Sequence, residues 1–196
     1  MAQKNFTSFT KIVPFSKVMK LLSHSVITAG FCTVILGLVL TYYHYNPHRL
    51  SFKNAHIEKK KQLADHLKTP KKITIQVIHV DLPVIPSTIK DGVWETTDKG
   101  VSYLVQSPVP GSFGNSILYG HNWTKLLGGL TQLKPGQTFD IEYSDGSVES
   151  FTIQTTAYVL PTDVSVLRDS QKPLVTLYTC AGPLDSKRFV VTARPS

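Results

Sequence analysis

Residues 138–160 read TFDIEYSDGSVESFTIQTTAYVL. Two runs of β-branched and aromatic residues, TFDIEY (138–143) and VESFTIQTTAYVL (148–160), flank Ser144-Asp145-Gly146-Ser147. Asp-Gly between alternating apolar runs is a strong hairpin signal, because the tight turn needs positive φ at its centre. The same period of two recurs outward from this hairpin. Upstream it runs through Ile73, Ile75 and Val77, then VSYLVQ (101–106) and SILYGH (116–121); downstream lie PLVTLYTC (173–180) and RFVVTA (188–193). Pro83, Pro86, Pro108, Pro110, Gly111, Gly114, Pro135 and Gly136 separate these runs as loops. The pattern predicts a mainly β domain, an antiparallel barrel or sandwich of seven or eight strands. Short helices are expected at Trp123–Gly128 and Asp163–Leu167.

The chain has 196 residues and a formal charge of +8, a balance that in a uniform chain would point to a polyanion. The charge is not uniform. Residues 1–72 hold 12 basic and 2 acidic side chains (+10), and residues 73–196 hold 9 and 11 (−2). The basicity flanks an apolar stretch: no Lys, Arg, Asp or Glu occurs among the 28 residues between Lys20 and Arg49, and Val26–Tyr43 is almost continuously apolar. About 20 such residues cross a bilayer. No small-residue cleavage site follows the run, as a signal peptide would require, and no polar stripe interrupts it, as a core helix would show. Phe31 before Cys32 does not fit a lipidation site. The expected order is a basic tail (1–24), a transmembrane helix (25–45), a Lys-rich stalk (46–72), partly helical around Ala55–Leu67, and a globular domain (73–196). Nucleic acid is excluded as a partner, since the basic residues are topology and membrane-surface signals.

Only two cysteines exist, so neither a disulfide scaffold nor a multi-cysteine zinc site is available. With Cys32 in the apolar span, Cys180 is the single thiol of the domain. It ends an apolar strand just before Ala181-Gly182-Pro183, which predicts a thiol at a strand mouth beside a loop. Five of the seven histidines fall before residue 73, leaving His79 and His121. His79 lies within VIHVDLP and reads as a packing histidine in mid-strand. His121, in Tyr119-Gly120-His121-Asn122, ends a predicted strand where it opens on a loop. A thiolate and an imidazole together supply a nucleophile and a proton donor for a leaving amine. An antiparallel return after 173–180 would carry Arg188 back beside Cys180, where a fixed cation can steady an oxyanion.

Thr176-Leu177-Tyr178-Thr179-Cys180 resembles the TLxTC signature of sortases, the membrane-anchored cysteine transpeptidases of bacterial surfaces. Arg188 follows at that family's spacing, Asn115–His121 looks like its strand leading to the catalytic histidine, and the order His, Cys, Arg agrees. The resemblance covers about residues 73–196. It implies an eight-stranded sortase-type β barrel with short helices. It further implies attack by Cys180 on the Thr-Gly bond of an LPxTG-like motif and a thioacyl-enzyme resolved by an amine. In that scheme His121 protonates the leaving amine and Arg188 positions the motif and steadies the oxyanion; Thr179 would help line the oxyanion site. The implied partners are secreted proteins carrying a C-terminal sorting motif, together with a peptidoglycan precursor or a pilin lysine as acceptor. The implied location is a bacterial membrane, single-pass type II, with the catalytic domain outside. No cofactor is expected, and no metal: the carboxylates of Asp140, Glu142, Asp145 and Glu149 alternate along a hairpin as a solvated face. Asp91-Gly92-Val93-Trp94 is only a loose echo of the Asp-Pro-Trp lid motif of some sortases. The alternative is a noncatalytic, membrane-anchored β-barrel binding module of the cell envelope.

Overall fold

The computed structural model describes residues 15–53 and 68–196, in two units, one ending at Tyr45 and one beginning at Asn46. The stalk helix expected at Ala55–Leu67 lies outside the described residues.

The first unit is one helix, α1 (Phe15–Tyr45), of which His24–Tyr45 is long and apolar enough to cross a membrane by length and composition. Its threonines do not break the apolar surface. Thr28, Thr33 and Thr41 turn their hydroxyls back to the carbonyls of His24, Gly30 and Gly37 at 2.9, 2.7 and 2.8 Å, which satisfies those donors within the helix.

The second unit is a closed barrel of eight strands: β1 (Pro70–Ile75), β2 (Val80–Ser87), β5 (Val101–Leu104), β6 (Asn115–Gly120), β9 (Leu174–Ala181), β10 (Lys187–Pro195), β8 (Val148–Val159) and β7 (Thr138–Tyr143), in that order around the wall and back to β1. A two-stranded ribbon, β3 (Ile89–Lys90) and β4 (Val93–Trp94), lies in the β2–β5 connection; Asp91 and Gly92 at its turn both have positive φ, as an Asp-Gly hairpin requires. The predicted 138–160 hairpin is β7–β8, with Phe139 opposite Phe151 and Ile141 opposite Glu149.

The wall differs from the expectation in three places. Two of its neighbour pairs, β2/β5 and β6/β9, are parallel. Period-2 alternation is the same for either direction; only the connections, residues 88–100 and 121–173, are long enough for a crossover. His79 is not in a strand: β1 stops at Ile75, a 3-10 turn spans Gln76–Ile78, and His79 adopts φ 53 before β2 begins. Residues 123–128 form turns rather than a helix, whereas Asp163 caps a 3-10 turn over Val164–Leu167 by accepting from the Ser165 amide at 3.1 Å.

β6 is buried along its whole length and β9 from Val175 onward, which needs cover on both faces. Alternation assigns the faces. Leu118, Val175, Leu177, Phe189 and Val191 join the barrel interior with Ile73, Phe139, Ile141 and Phe151. Ile117, Tyr119, Tyr178, Cys180 and Val190 point the other way, into a second cluster closed by Trp94 of β4, Leu167, Leu50 and Phe52. Residues 46–53, expected as stalk, are therefore part of the barrel unit. Pro47–Leu50 form a 3-10 turn capped by Asn46, whose side chain accepts from the His48 amide at 2.9 Å, and Leu50 and Phe52 are buried. Burial of two such side chains stabilises by about 1.5–3 kcal/mol each.

Candidate active site

Three strand ends carry the candidate residues. In the parallel β6/β9 pair Gly120 stands opposite Thr179, so the residues that follow, His121 and Cys180, leave the same edge together. In the antiparallel β9/β10 pair Arg188 stands directly opposite Cys180. Period 2 puts Arg188 on the face of Val190, the same outer face that holds Cys180 and Tyr178. The predicted return of Arg188 to Cys180 is thus a property of the register, and one residue of slip would turn both side chains to opposite faces.

Thr179 ties the histidine strand to the cysteine strand. Its buried hydroxyl donates to the Gly120 carbonyl at 2.7 Å, so it points to the backbone beside His121. Gly120 lies close to the loop that follows: a Cβ there would stand 3.0 Å from Leu127 Cδ1. The loop after His121 folds back on the strand end, with the Leu127 amide donating to the His121 carbonyl at 3.0 Å. The His121 ring stacks on the Trp123 indole at 4.4 Å, with 8° between planes, and is 8% exposed. An indole face in that position restrains the plane of the imidazole.

Cys180 is 2% exposed, not open at a strand mouth as the sequence suggested. The reason is the second cluster: alternation turns the thiol onto the outer face, and residues 49–52 lie across it. Its Sγ donates to the carbonyl of Arg49 at 3.0 Å. Burial pushes the Cys180 pKa from 9.0 up to about 11; the nearby Arg188 cation pulls it back, Asp185 pushes it further up and Arg49 opposes. Arg188 is 3% exposed, and its fork is filled by backbone: Nη1 donates to the carbonyls of Asp185 and Lys187, and Nη2 to Ser51, each at 3.0 Å. The guanidinium carbon also lies 5.9 Å from the centroid of the Phe52 ring.

Sequence reasoning did not identify Arg49, Ser51, Asn122 or Asp185 as parts of this region. Arg49 pairs through Nε with the Asp185 carboxylate, and its Nη2 reaches Asn122 Oδ1, the neighbour of His121, at 3.4 Å. Both paired side chains are largely buried, at 11% and 12% exposure. Tyr178 donates to the Leu50 carbonyl at 3.0 Å, and Phe52 meets Tyr178 edge-on at 5.0 Å and Trp94 at 6.2 Å. The available signal was Leu50 and Phe52, two large apolar residues two apart in an otherwise polar stretch. By sequence Arg49 reads as part of the positive charge flanking the apolar span.

A family model described as the sortase domain matches residues 73–196. The chain belongs to the sortase family. Sortase A of Bacillus anthracis is 28% identical over 142 residues, covering 70% of this chain and 61% of that protein, so this sortase spans about three-fifths of that relative's length. Among solved structures, sortase C-1 from Actinomyces oris aligns with a TM-score of 0.55 and 29% identity, over 64% of this chain and 72% of that one. Sortase A from Corynebacterium diphtheriae aligns with a TM-score of 0.57 and 24% identity, over 65% and 60% of the two chains, a likeness of fold. The closed eight-stranded barrel is that of the sortase fold.

Proposed function

We propose that this sortase is a cysteine transpeptidase in which Cys180 is the nucleophile, His121 the acid and base, and Arg188 the oxyanion and motif-positioning cation. The observation that carries the reading is the strand register: Cys180 faces Arg188 across β9/β10, while Thr179 holds the Gly120 end of β6, and with it His121, beside them. The Cys180 thiolate adds to the threonine carbonyl of an LPxTG-like motif. Its sulfur–carbon bond forms as the carbonyl electrons move onto oxygen, which the Arg188 guanidinium steadies. Collapse breaks the Thr-Gly carbon–nitrogen bond, and the glycine amine departs with a proton from the His121 imidazolium. An incoming amine then gives a proton to His121, attacks the thioester and releases the thiolate. The acceptor is a peptidoglycan precursor or a pilin lysine, and the donor a secreted protein with a C-terminal sorting motif.

The apolar segment His24–Tyr45 supports membrane anchoring. With the substrates outside the cell, the short basic tail is cytoplasmic and the barrel extracytoplasmic, a single-pass type II arrangement. Thr179, expected at the oxyanion site, acts instead by positioning, since its hydroxyl is engaged by Gly120.

One observation favours a second reading, a noncatalytic barrel: the thiol is covered by residues 49–52. Incubation of the full chain in detergent micelles with an LPxTG peptide and a panel of amines separates the two. Transpeptidation product that disappears in Cys180→Ala supports the enzyme; no cleavage or transfer under any acceptor supports the binding module.

A further inference from the structure

We propose that Trp123 is a positioning residue for the transpeptidation: its indole holds the His121 imidazole by the face, so that one ring hands a proton to the leaving amine and takes one from the acceptor without swinging away. The role rests on His121 being the acid and base of the reaction, and it assigns what sets where that ring lies.

The end of a strand does not by itself aim a histidine. The backbone of His121 follows from β6, but the torsion between Cβ and the ring is broad and roughly two-fold, so the direction of both ring nitrogens stays open. Proton transfer needs that direction within hydrogen-bond reach of two amines in succession, one leaving and one arriving. The stack settles the plane: at 4.4 Å between centroids and 8° between planes, rotation of the imidazole out of that plane would drive one edge into the indole. A ring face does this without taking up a nitrogen, so the contact does not compete with the proton transfers.

The indole is placed by the turn that follows the histidine and not by the core. Trp123 is half-buried and belongs to neither hydrophobic cluster, whereas Trp94, the chain's other tryptophan, is 1% exposed within the second. The turn closes on Trp123 itself: the amides of Leu126 and Gly128 both donate to its carbonyl, at 2.8 and 2.9 Å. Leu126 and Leu127 are buried and anchor the far side of the turn. Gly128 permits the closure, because a Cβ there would stand 2.8 Å from the Trp123 carbonyl oxygen and 2.9 Å from that of Asn122, backbone atoms that cannot rotate away. The Lys125 ammonium lies 5.4 Å from the indole centroid, a second contact on that ring. An indole that the core clusters do not use is therefore held against the histidine of the site.

The test uses the full chain in detergent micelles and follows transfer of an LPxTG peptide to a saturating amine. Trp123→Leu keeps apolar volume without a flat face, and is expected to lower kcat at least about thirtyfold with KM for the peptide within about twofold, since the loss falls on proton transfer and not on binding. Trp123→Phe keeps a face and should stay within about fivefold of the parent in kcat. A readout independent of activity is the nuclear magnetic resonance signal of the His121 ring in a chain isotope-labelled at histidine Cε1, assigned by its loss in His121→Gln. The ring current of the indole should place that signal upfield of those of the other six histidines, and Trp123→Leu should move it downfield while the chain still unfolds cooperatively. Four results would each overturn the role and leave the transpeptidase reading standing: an active parent matched within about threefold by Trp123→Leu, an equal loss of kcat in Trp123→Phe and Trp123→Leu, a His121 signal that Trp123→Leu leaves in place, or a Trp123→Leu chain without cooperative unfolding, which would make the indole structural. A parent chain with no transfer to any amine would overturn that reading and the role with it.

Discussion

Raising the pH from 8 to 11 should destabilise the barrel through a single thiol. Burial holds the Cys180 pKa near 11, against 9.0 for the thiol in the unfolded chain. Below pH 9 both states keep the proton and the contribution is fully present. Between 9 and 11 the folded state retains a proton that the unfolded state has released, so the stability is lost as pH rises towards the folded value. Each pH unit of difference is about 1.4 kcal/mol, which gives a loss of about 1.4 kcal/mol at pH 10 and about 2.7 kcal/mol well past pH 11. Tyrosines titrate in the same range, and burial also raises Tyr178 and Tyr119. The readout is therefore the difference between the full chain and Cys180→Ala, both by urea unfolding in micelles at pH 8 and pH 10. With a slope of about 2 kcal/mol per molar urea, the parent midpoint should fall by about 0.7 M more than that of Cys180→Ala. Parallel midpoints across that range would show that the thiol is not held protonated by its surroundings, and the reasoning about its cover would be wrong.

Arg188→Lys should lower kcat/KM for LPxTG transpeptidation at least about a hundredfold in a chain that still unfolds cooperatively, because one ammonium cannot replace the fork that now reaches three carbonyls; a rate within threefold of the parent would remove Arg188 from its role. Thr179→Ala should reduce kcat while leaving KM within twofold, since it loosens the Gly120 end of β6 rather than a substrate contact, and Thr179→Ser should restore the rate; no rescue by serine would refute the positioning role. Asn115 donates to the carbonyls of Val166 and Arg168 and accepts from Thr176, pinning the β8–β9 connection to the wall. Asn115→Ala should cost about 1–3 kcal/mol in urea unfolding, because the buried Thr176 hydroxyl and two partly buried carbonyls lose their bonds.

What could be read from the sequence follows from which contacts are local. The Asp145-Gly146 hairpin and the Cys180–Arg188 pairing are set by neighbouring strands and a short loop, so alternation and a residue count suffice to find them. The family signature TLYTC lies on one strand and is likewise local. The direction of β6 against β9 is not, because period 2 is blind to direction and 53 residues, 121–173, intervene between the two strands. Hardest to see was the cover of the site. Leu50 meets Tyr178 across 128 positions, and Arg49 meets Asp185 across 136. Nothing in the local pattern of Asn46–Lys53 distinguishes a buried turn from a stalk beyond its two apolar side chains. His79 departs from its sequence pattern for a simpler reason: its left-handed conformation interrupts an apolar run that reads as one continuous strand.

The central claim, that Cys180 is the acyl-carrying nucleophile, is tested most directly by intact-mass analysis of the full chain after brief incubation with an LPxTG-like peptide and no added amine. The account predicts a mass increase equal to the peptide's acyl portion through threonine, located on Cys180, removed by hydroxylamine and absent in Cys180→Ala. An unmodified Cys180 in both the parent chain and Phe52→Ala, which removes the ring packed on Tyr178 beside the thiol, would contradict it.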